Sequence, residues 1–226
     1  MKNGFLSILP LAAGAALYGF AFGVLAAQLG FPWWGVALMG GLVNAGSSQI
    51  VAVEQFASQE FVAGAVLAGA ALNLRYLGVV ASLAVVLKDI PFRVRLIAIH
   101  ITGDENWALT MAHRAKNPDI GASFLIGSGV AMIAVWVIST TAGAAIGGAI
   151  PNLEEYGLGF AFTAAFIAMA RAMWTGRRNF APWAATFAVT LALVEMDIGG
   201  AYAIVLGSLV GVAVSVRTRR FVRSNP

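Results

Sequence analysis

Apolar residues in this chain neither alternate nor keep to one helical stripe; they run on for whole stretches. The runs cover about 5–29, 33–58, 61–87, 121–149, 157–175, 180–196 and 199–216, with few charges inside them. A helix needs about 20 apolar residues to cross roughly 30 Å of hydrocarbon, and these runs meet or approach that length. An eighth stretch, 96–113, is marginal because Asp104 and Glu105 sit at its centre. Pro32, Pro91, Pro118, Pro151 and Pro182 fall at or near the boundaries, where proline interrupts helices most cheaply. A membrane β-barrel would need short alternating strands, which are absent from the pattern. The expected fold is therefore all-α: a polytopic transmembrane helix bundle of about seven membrane helices (six to eight). It forms a single integral membrane domain over residues 1–226, with broken or re-entrant segments expected near residues 44–49 and 96–113.

Composition removes the soluble alternatives. Apolar side chains make up 60% of the 226 residues and charged ones 11%, with a mean hydropathy of +0.84. Soluble domains carry about 45–50% apolar and about 25% charged residues. So few charges could not cover a water-exposed surface, which excludes an ordinary soluble enzyme and a disordered tail.

The net charge of +4 would fit a nucleic-acid partner were the bases not placed otherwise. Twelve of the 14 Lys and Arg lie in four clusters, at 88–95, 114–116, 171–178 and 217–223. Such clusters mark cytoplasmic loops facing anionic lipid headgroups and imply no nucleic acid. Basic stretches 171–178 and 217–223 alternate with acidic connectors at Glu154–Glu155 and Glu195–Asp197, placing the C-terminus in the cytoplasm. Sidedness of the front half depends on whether 96–113 and 33–58 cross or dip back. Lys2 before an apolar run resembles a signal peptide, but 4–29 is too long for its apolar core and is expected to stay as a membrane helix. The chain has no cysteine and only His100 and His113 as histidines, so no metal site or cofactor is expected.

Small residues mark where helices meet. Ala15, Gly19, Gly23 and Ala27 recur every fourth position, and Gly143/Gly147 and Gly207/Gly211 repeat the GxxxG spacing. In lipid these stripes let backbones approach closely, first of all within one bundle and otherwise between subunits.

Polar groups within apolar runs are costly, about 2.5–3.5 kcal/mol for an ionisable one at mid-helix. Three places tolerate them. The first is Asn44-Ala45-Gly46-Ser47-Ser48-Gln49. On a regular helix Asn44, Ser47, Ser48, Glu54 and Gln55 would share one face about 120° wide. Alternatively the helix breaks at Gly46 and turns backbone amides toward a cavity, as in transporters that hold carboxylates or ions there. The second is Asn73-Leu74-Arg75, where Arg75 lies too deep to reach headgroups easily and calls for a carboxylate or water. Asn73 continues the small stripe Ala65–Gly69 and points about 200° away from Arg75 on a regular helix. The third is Thr102-Gly103-Asp104-Glu105-Asn106-Trp107. Two adjacent carboxylates repel when both are ionised, which suits one of them to hold and carry a proton. His100, one turn earlier, could share it. Glu54, near a helix end, is a weaker proton-carrier candidate. Each place also has a plain reading: hydrogen bonds between helices, a structural ion pair, or acids wetted at the interface.

Taken in order and spacing, Ala45-Gly46-Ser47-Ser48-Gln49, Asn73-Leu74-Arg75 and Thr102-x-Asp104-Glu105 with Trp107-Ala108-Leu109 resemble the AzlC family. Its members are large subunits of two-component exporters of branched-chain amino acids. The likeness extends over about residues 5–216. It departs at Tyr76, where members often have His, and at Gly103, where they tend to place Thr directly before the acidic pair. The resemblance implies a multi-pass protein of the inner (cytoplasmic) membrane, a small hydrophobic AzlD-type partner subunit, and proton-linked export of a neutral amino acid. No P-loop is present to bind ATP, so an ion gradient is the expected drive.

On this reading the substrate-binding candidates are Asn44, Gly46, Ser47, Ser48, Gln49, Asn73 and Arg75. The proton-coupling candidates are Asp104, Glu105 and Glu54. The chain is not expected to be an enzyme. An intramembrane hydrolase would need Ser47 or Ser48 with His100 or His113, and no GxSxG elbow surrounds either serine. A passive channel for small solutes is the other alternative.

Overall fold

The computed structural model describes residues 1–57, 66, 69–70, 72–73, 75–149, 167, 170–171, 174, 176–198 and 200–224, apart from the side chains of 54, 55, 57, 75, 178, 200, 201 and 219–224. Among them the regular structure is helical throughout. In chain order the helices are α1 (Lys2–Gln28), α2 (Trp33–Leu42), α3 (Gly46–Ala57), α4 (Arg75–Ser82), α5 (Ala84–Leu87), α6 (Phe92–His100) and α7 (Asp104–Lys116). They are followed by α8 (Ala122–Gly147), α9 (Phe180–Glu195) and α10 (Gly200–Ser224), with a 3₁₀ turn at Arg177–Asn179 before α9. Helices α1 and α8 are long and apolar enough to cross a membrane, at 27 and 26 residues. The expected run 157–175, with Pro151 and Glu154–Glu155 before it, lies largely outside the described residues.

Proline marks the ends as expected at Pro32 and Pro91, which directly precede α2 and α6. Pro182 sits in the first turn of α9, where its missing N–H removes no helical bond. Pro10 lies inside α1, which continues through it.

The scaffold is the parallel pair α1 and α8, packed along their lengths: Gly4 meets Phe124 near their starts and Gly147 meets Ala27 near their ends. Their closeness is a matter of missing side chains. A Cβ at Gly23 would stand 2.7 Å from the Ala144 nitrogen, and one at Gly147 would stand 2.9 Å from Val24 Cα. Gly207 and Gly211 of α10 likewise meet Thr190 and Thr186 of α9. The small-residue stripes thus join helices of one chain. Between them α1, α2, α3 and α8 bury Phe22, Val36, Ile50, Val53 and Trp136. A second cluster gathers Val79, Leu83, Leu87, Ala98 and Leu125 around α4 to α8. Outward faces carry Leu17, Leu77, Ile138 and Phe187, all about 70% exposed; a lipid environment leaves such side chains uncharged for hydration.

Two runs that could have been continuous are interrupted. In 33–58, helix α2 stops at Leu42, Val43 is extended, and the Ala45 N–H turns back to Val43 O at 2.9 Å before α3 begins. The single polar stripe from Asn44 to Gln55 therefore does not form, since Asn44 precedes α3. The second interruption falls in 96–113. There α6 stops at His100, Gly103 is extended, and α7 begins at the acidic pair itself. Both breaks were among the expected ones, and the run 61–87 also turns at Leu83 between α4 and α5.

Candidate functional site

The two breaks face each other. Asn44, Ala45, Gly46 and Ser47 from the first, and Gly103, Asp104 and Glu105 from the second, line one hollow. Ala15 and Tyr18 of α1, Tyr76 of α4, and Met132 and Trp136 of α8 complete it. It encloses about 500 Å³ of empty space, its open mouth included.

Helix ends give this hollow its electrostatics. Both α3 and α7 start at its wall, which brings beside it the helix ends whose first N–H groups have no partner within the helix. Asp104 and Glu105 occupy the first turn of α7, where the dipole favours negative charge. The α7 end is held by Asn106, which is fully buried: its Oδ1 accepts the Gly103 N–H at 2.7 Å, and its Nδ2 faces Leu125 O at 3.4 Å. A methyl group at Gly103 would stand 3.2 Å from Glu105 Oε2 and 3.7 Å from Asn44 Nδ2. The bare backbone at this departure from the family pattern leaves room for both side chains. Asn44 Nδ2 is buried and has no hydrogen-bond partner among the described residues, a state that costs about 1–3 kcal/mol unless a ligand accepts from it.

Further bonds hold the surroundings of the breaks, and one of them, from His100, joins the two. The Tyr76 hydroxyl donates to Asn44 O at 3.1 Å. His100 Nε2 lies 3.0 Å from Gly41 O, a carbonyl at the end of α2 that the break leaves without its helical donor. His113 Nδ1 is placed 3.0 Å from Leu109 O, and its ring packs on Phe124 at 4.9 Å. Neither histidine lines the hollow, so the serine–histidine arrangement of a hydrolase is not assembled there.

The motif 44–49 divides between two sides. Ser48 and Gln49 turn away from this hollow and line a second, more apolar one with Met39, Val43, Ala52, Phe56, Val66, Gly69, Ala70 and Asn73. Ser48, 3% exposed, donates from Oγ to Asn73 Oδ1 at 3.1 Å, which joins the first and second sequence motifs. Gln49, 0% exposed, donates from Nε2 to Met39 O at 2.8 Å and Val43 O at 2.5 Å. It thereby holds the end of α2 against the start of α3. The side chains of Arg75 and Glu54 lie outside the described residues. Residues 44, 46, 47, 104 and 105 are thus brought together, and 48, 49 and 73 form a second group.

Tyr18, Tyr76, Met132 and Trp136 also line the hollow, and nothing in the sequence singles them out as site residues. An aromatic residue on an apolar helix looks like any other core position, and only the packing reveals which ones border a hollow. The one signal available was Gly46. A Cβ there would stand 2.8 Å from Trp136 Cη2 and 3.1 Å from Tyr18 Cε1, so the indole rests on the bare first residue of α3. Gly46→Ala is expected to lower stability by about 1–3 kcal/mol, read as a fall in unfolding midpoint in detergent. Gly14→Ala, with open space around the site, should leave the midpoint unchanged. Equal midpoints for both variants would contradict the contact.

The sequence profile of a family described as AzlC protein matches residues 10–150. A relative from Helicobacter pylori, described as "Uncharacterized membrane protein", is 24% identical over 168 residues, covering 74% of this chain and 73% of its own length. No solved structure matches the chain.

Proposed function

The chain belongs to the AzlC family, and on that premise we propose that it is a secondary active exporter of branched-chain or similar neutral amino acids. It is a membrane protein of a transport family. In the proposed reading it lies in the cytoplasmic membrane with about seven crossings, couples export to protons, and works with a small AzlD-type membrane subunit.

The supporting observation is the meeting of two broken helices at one hollow that carries groups of both kinds a zwitterion needs. The first amides of α3, the Ser47 hydroxyl and the unpartnered Asn44 Nδ2 offer donors to a carboxylate. Asp104 and Glu105 offer acceptors to an ammonium group or a place for a proton. Ala15, Met132 and Trp136 supply an apolar wall. In this assignment Ser48, Gln49 and Asn73 act from the second hollow, Arg75 binds the substrate carboxylate or balances an acid when the ammonium is absent, and Glu54 is an accessory proton carrier.

The test is efflux of leucine, isoleucine, valine and methionine from cells expressing the chain with and without a small partner subunit. Saturable efflux that grows with the proton gradient is the expected result. Unsaturable flux indifferent to the gradient would instead identify a passive channel. Arg75→Ala is expected to abolish export and Arg75→Lys to keep part of it, since a lysine retains the charge without the guanidinium fork. Unchanged flux in the alanine variant would remove Arg75 from the mechanism.

A further inference from the structure

We propose that Trp136 and Gln49 are the gate between the two hollows, a positioning pair that keeps them separate while their mutual hydrogen bond is made. The inference rests on the transport reading for its purpose, though not for its geometry. The partition is a single stretch of chain: Asn44 to Ser47 border the first hollow, whereas Val43, Ser48 and Gln49 border the second. Trp136 lines the first and Gln49 the second. The indole N–H donates across the partition to Gln49 Oε1 at 3.0 Å.

This bond differs in kind from most buried polar contacts of the chain. Thr102, Thr110 and Ser128 are equally buried, and each donates to a carbonyl three or four residues earlier, Thr110 and Ser128 within their own helices and Thr102 to Ala98 O of the helix it follows. Such bonds satisfy a hydroxyl and connect nothing. The Trp136–Gln49 bond links side chains 87 positions apart. It stands where an apolar residue of Gln49's size would have filled the interior without any polar group to satisfy. A buried polar pair of this sort fixes one arrangement, because each partner loses its hydrogen bond when the other moves.

The surroundings permit movement of the partition more than of the scaffold. On one side the Trp136 ring packs against Tyr18 at 5.4 Å and Phe22 at 6.2 Å and rests on Gly46. On the other, the partition is held by Gln49 on Met39 O and Val43 O and by Ser48 on Asn73. Residues 43–45, between two helices, have no regular ladder of their own. Releasing the indole N–H removes the tie from α8 to this stretch, and the two hollows become one passage past Gly46.

The absence of cysteine from the chain allows a direct test by single-cysteine labelling with a membrane-impermeant thiol reagent. Ser47→Cys, in the first hollow, identifies the membrane side from which that hollow is reached. Ala52→Cys, in the second, is expected to react slowly from that side, and at least tenfold faster when combined with Trp136→Phe, which keeps an aromatic ring but has no N–H. Gln49→Met, which leaves the indole in place, releases the same bond together with those to Met39 O and Val43 O and decides the matter if Trp136→Phe does not fold. Unaltered Ala52→Cys labelling in the folded variants, or fast labelling with the bond intact, overturns the gate. Labelling needs no transport: faster reaction in a protein that exports no amino acid would keep the gate and end the exporter reading, while saturable export with unaltered labelling would do the reverse.

Discussion

Asp104→Asn combined with Glu105→Gln is expected to lower proton-driven export by about tenfold or more and to flatten what remains against the pH gradient. The reason lies in the site itself. Both carboxylates stand in the first turn of α7 at the wall of the shared hollow, beside backbone amides that have no partner within the helix. A proton entering such a place needs an oxygen that can take it up and release it. An amide keeps the size and most of the hydrogen bonding but can do neither. Exchange of labelled for unlabelled amino acid across the membrane, which needs no net proton movement, should persist in the double variant. Net efflux at several imposed gradients and exchange at none are the paired measurements. If the double variant keeps the wild-type dependence on the gradient, the acidic pair has no coupling role. The single variants then distribute the effect between the two residues.

Gly143→Leu is expected to prevent assembly of the helix pair on which the site is built. Its Cβ would run into the backbone of Phe20, with Val24 N at 3.1 Å, and no rotamer relieves a clash with backbone. Separation of α1 from α8 would forfeit the close packing that holds helices together in lipid, where there is no hydrophobic drive to restore it. We expect a loss of about 3 kcal/mol or more, read as aggregation or absence of a folded peak in detergent chromatography. Gly14→Leu, on the open face of α1, provides the matched control and should give normal protein. A well-behaved Gly143→Leu variant would mean that α1 and α8 do not pack as described. The same clash logic applies to Gly23 and Gly147, so the effect belongs to the seam and not to one position.

Much of this was legible along the chain because membrane helices announce themselves by length and apolarity alone. The helical class, the stripes at Gly19/Gly23 and Gly143/Gly147, and the places near residues 44–49 and 96–113 where polar groups invite a break follow from residue type and spacing. What spacing could not say was how the interrupted runs behave. The residues from Asn44 to Gln55 fit one face of an unbroken helix as readily as they fit a break. The choice was made by bonds to distant groups: Gln49 to Met39 O and Val43 O, and His100 to Gly41 O.

A low count of charges, long oily runs and a few expensive polar side chains sufficed to define the kind of molecule and the residues worth watching, since the cost of each polar group in lipid is local to it. Tertiary structure alone decided the company those residues keep. It set Ser47 and Asp104 on one hollow but turned Ser48 toward Asn73, brought Tyr18, Tyr76 and Trp136 to the first hollow's wall, and put Gln49 on the second, bonded to Trp136. Such neighbours are chosen by which helices can approach closely, a property of the three-dimensional packing of glycine against backbone that no stretch of sequence contains by itself.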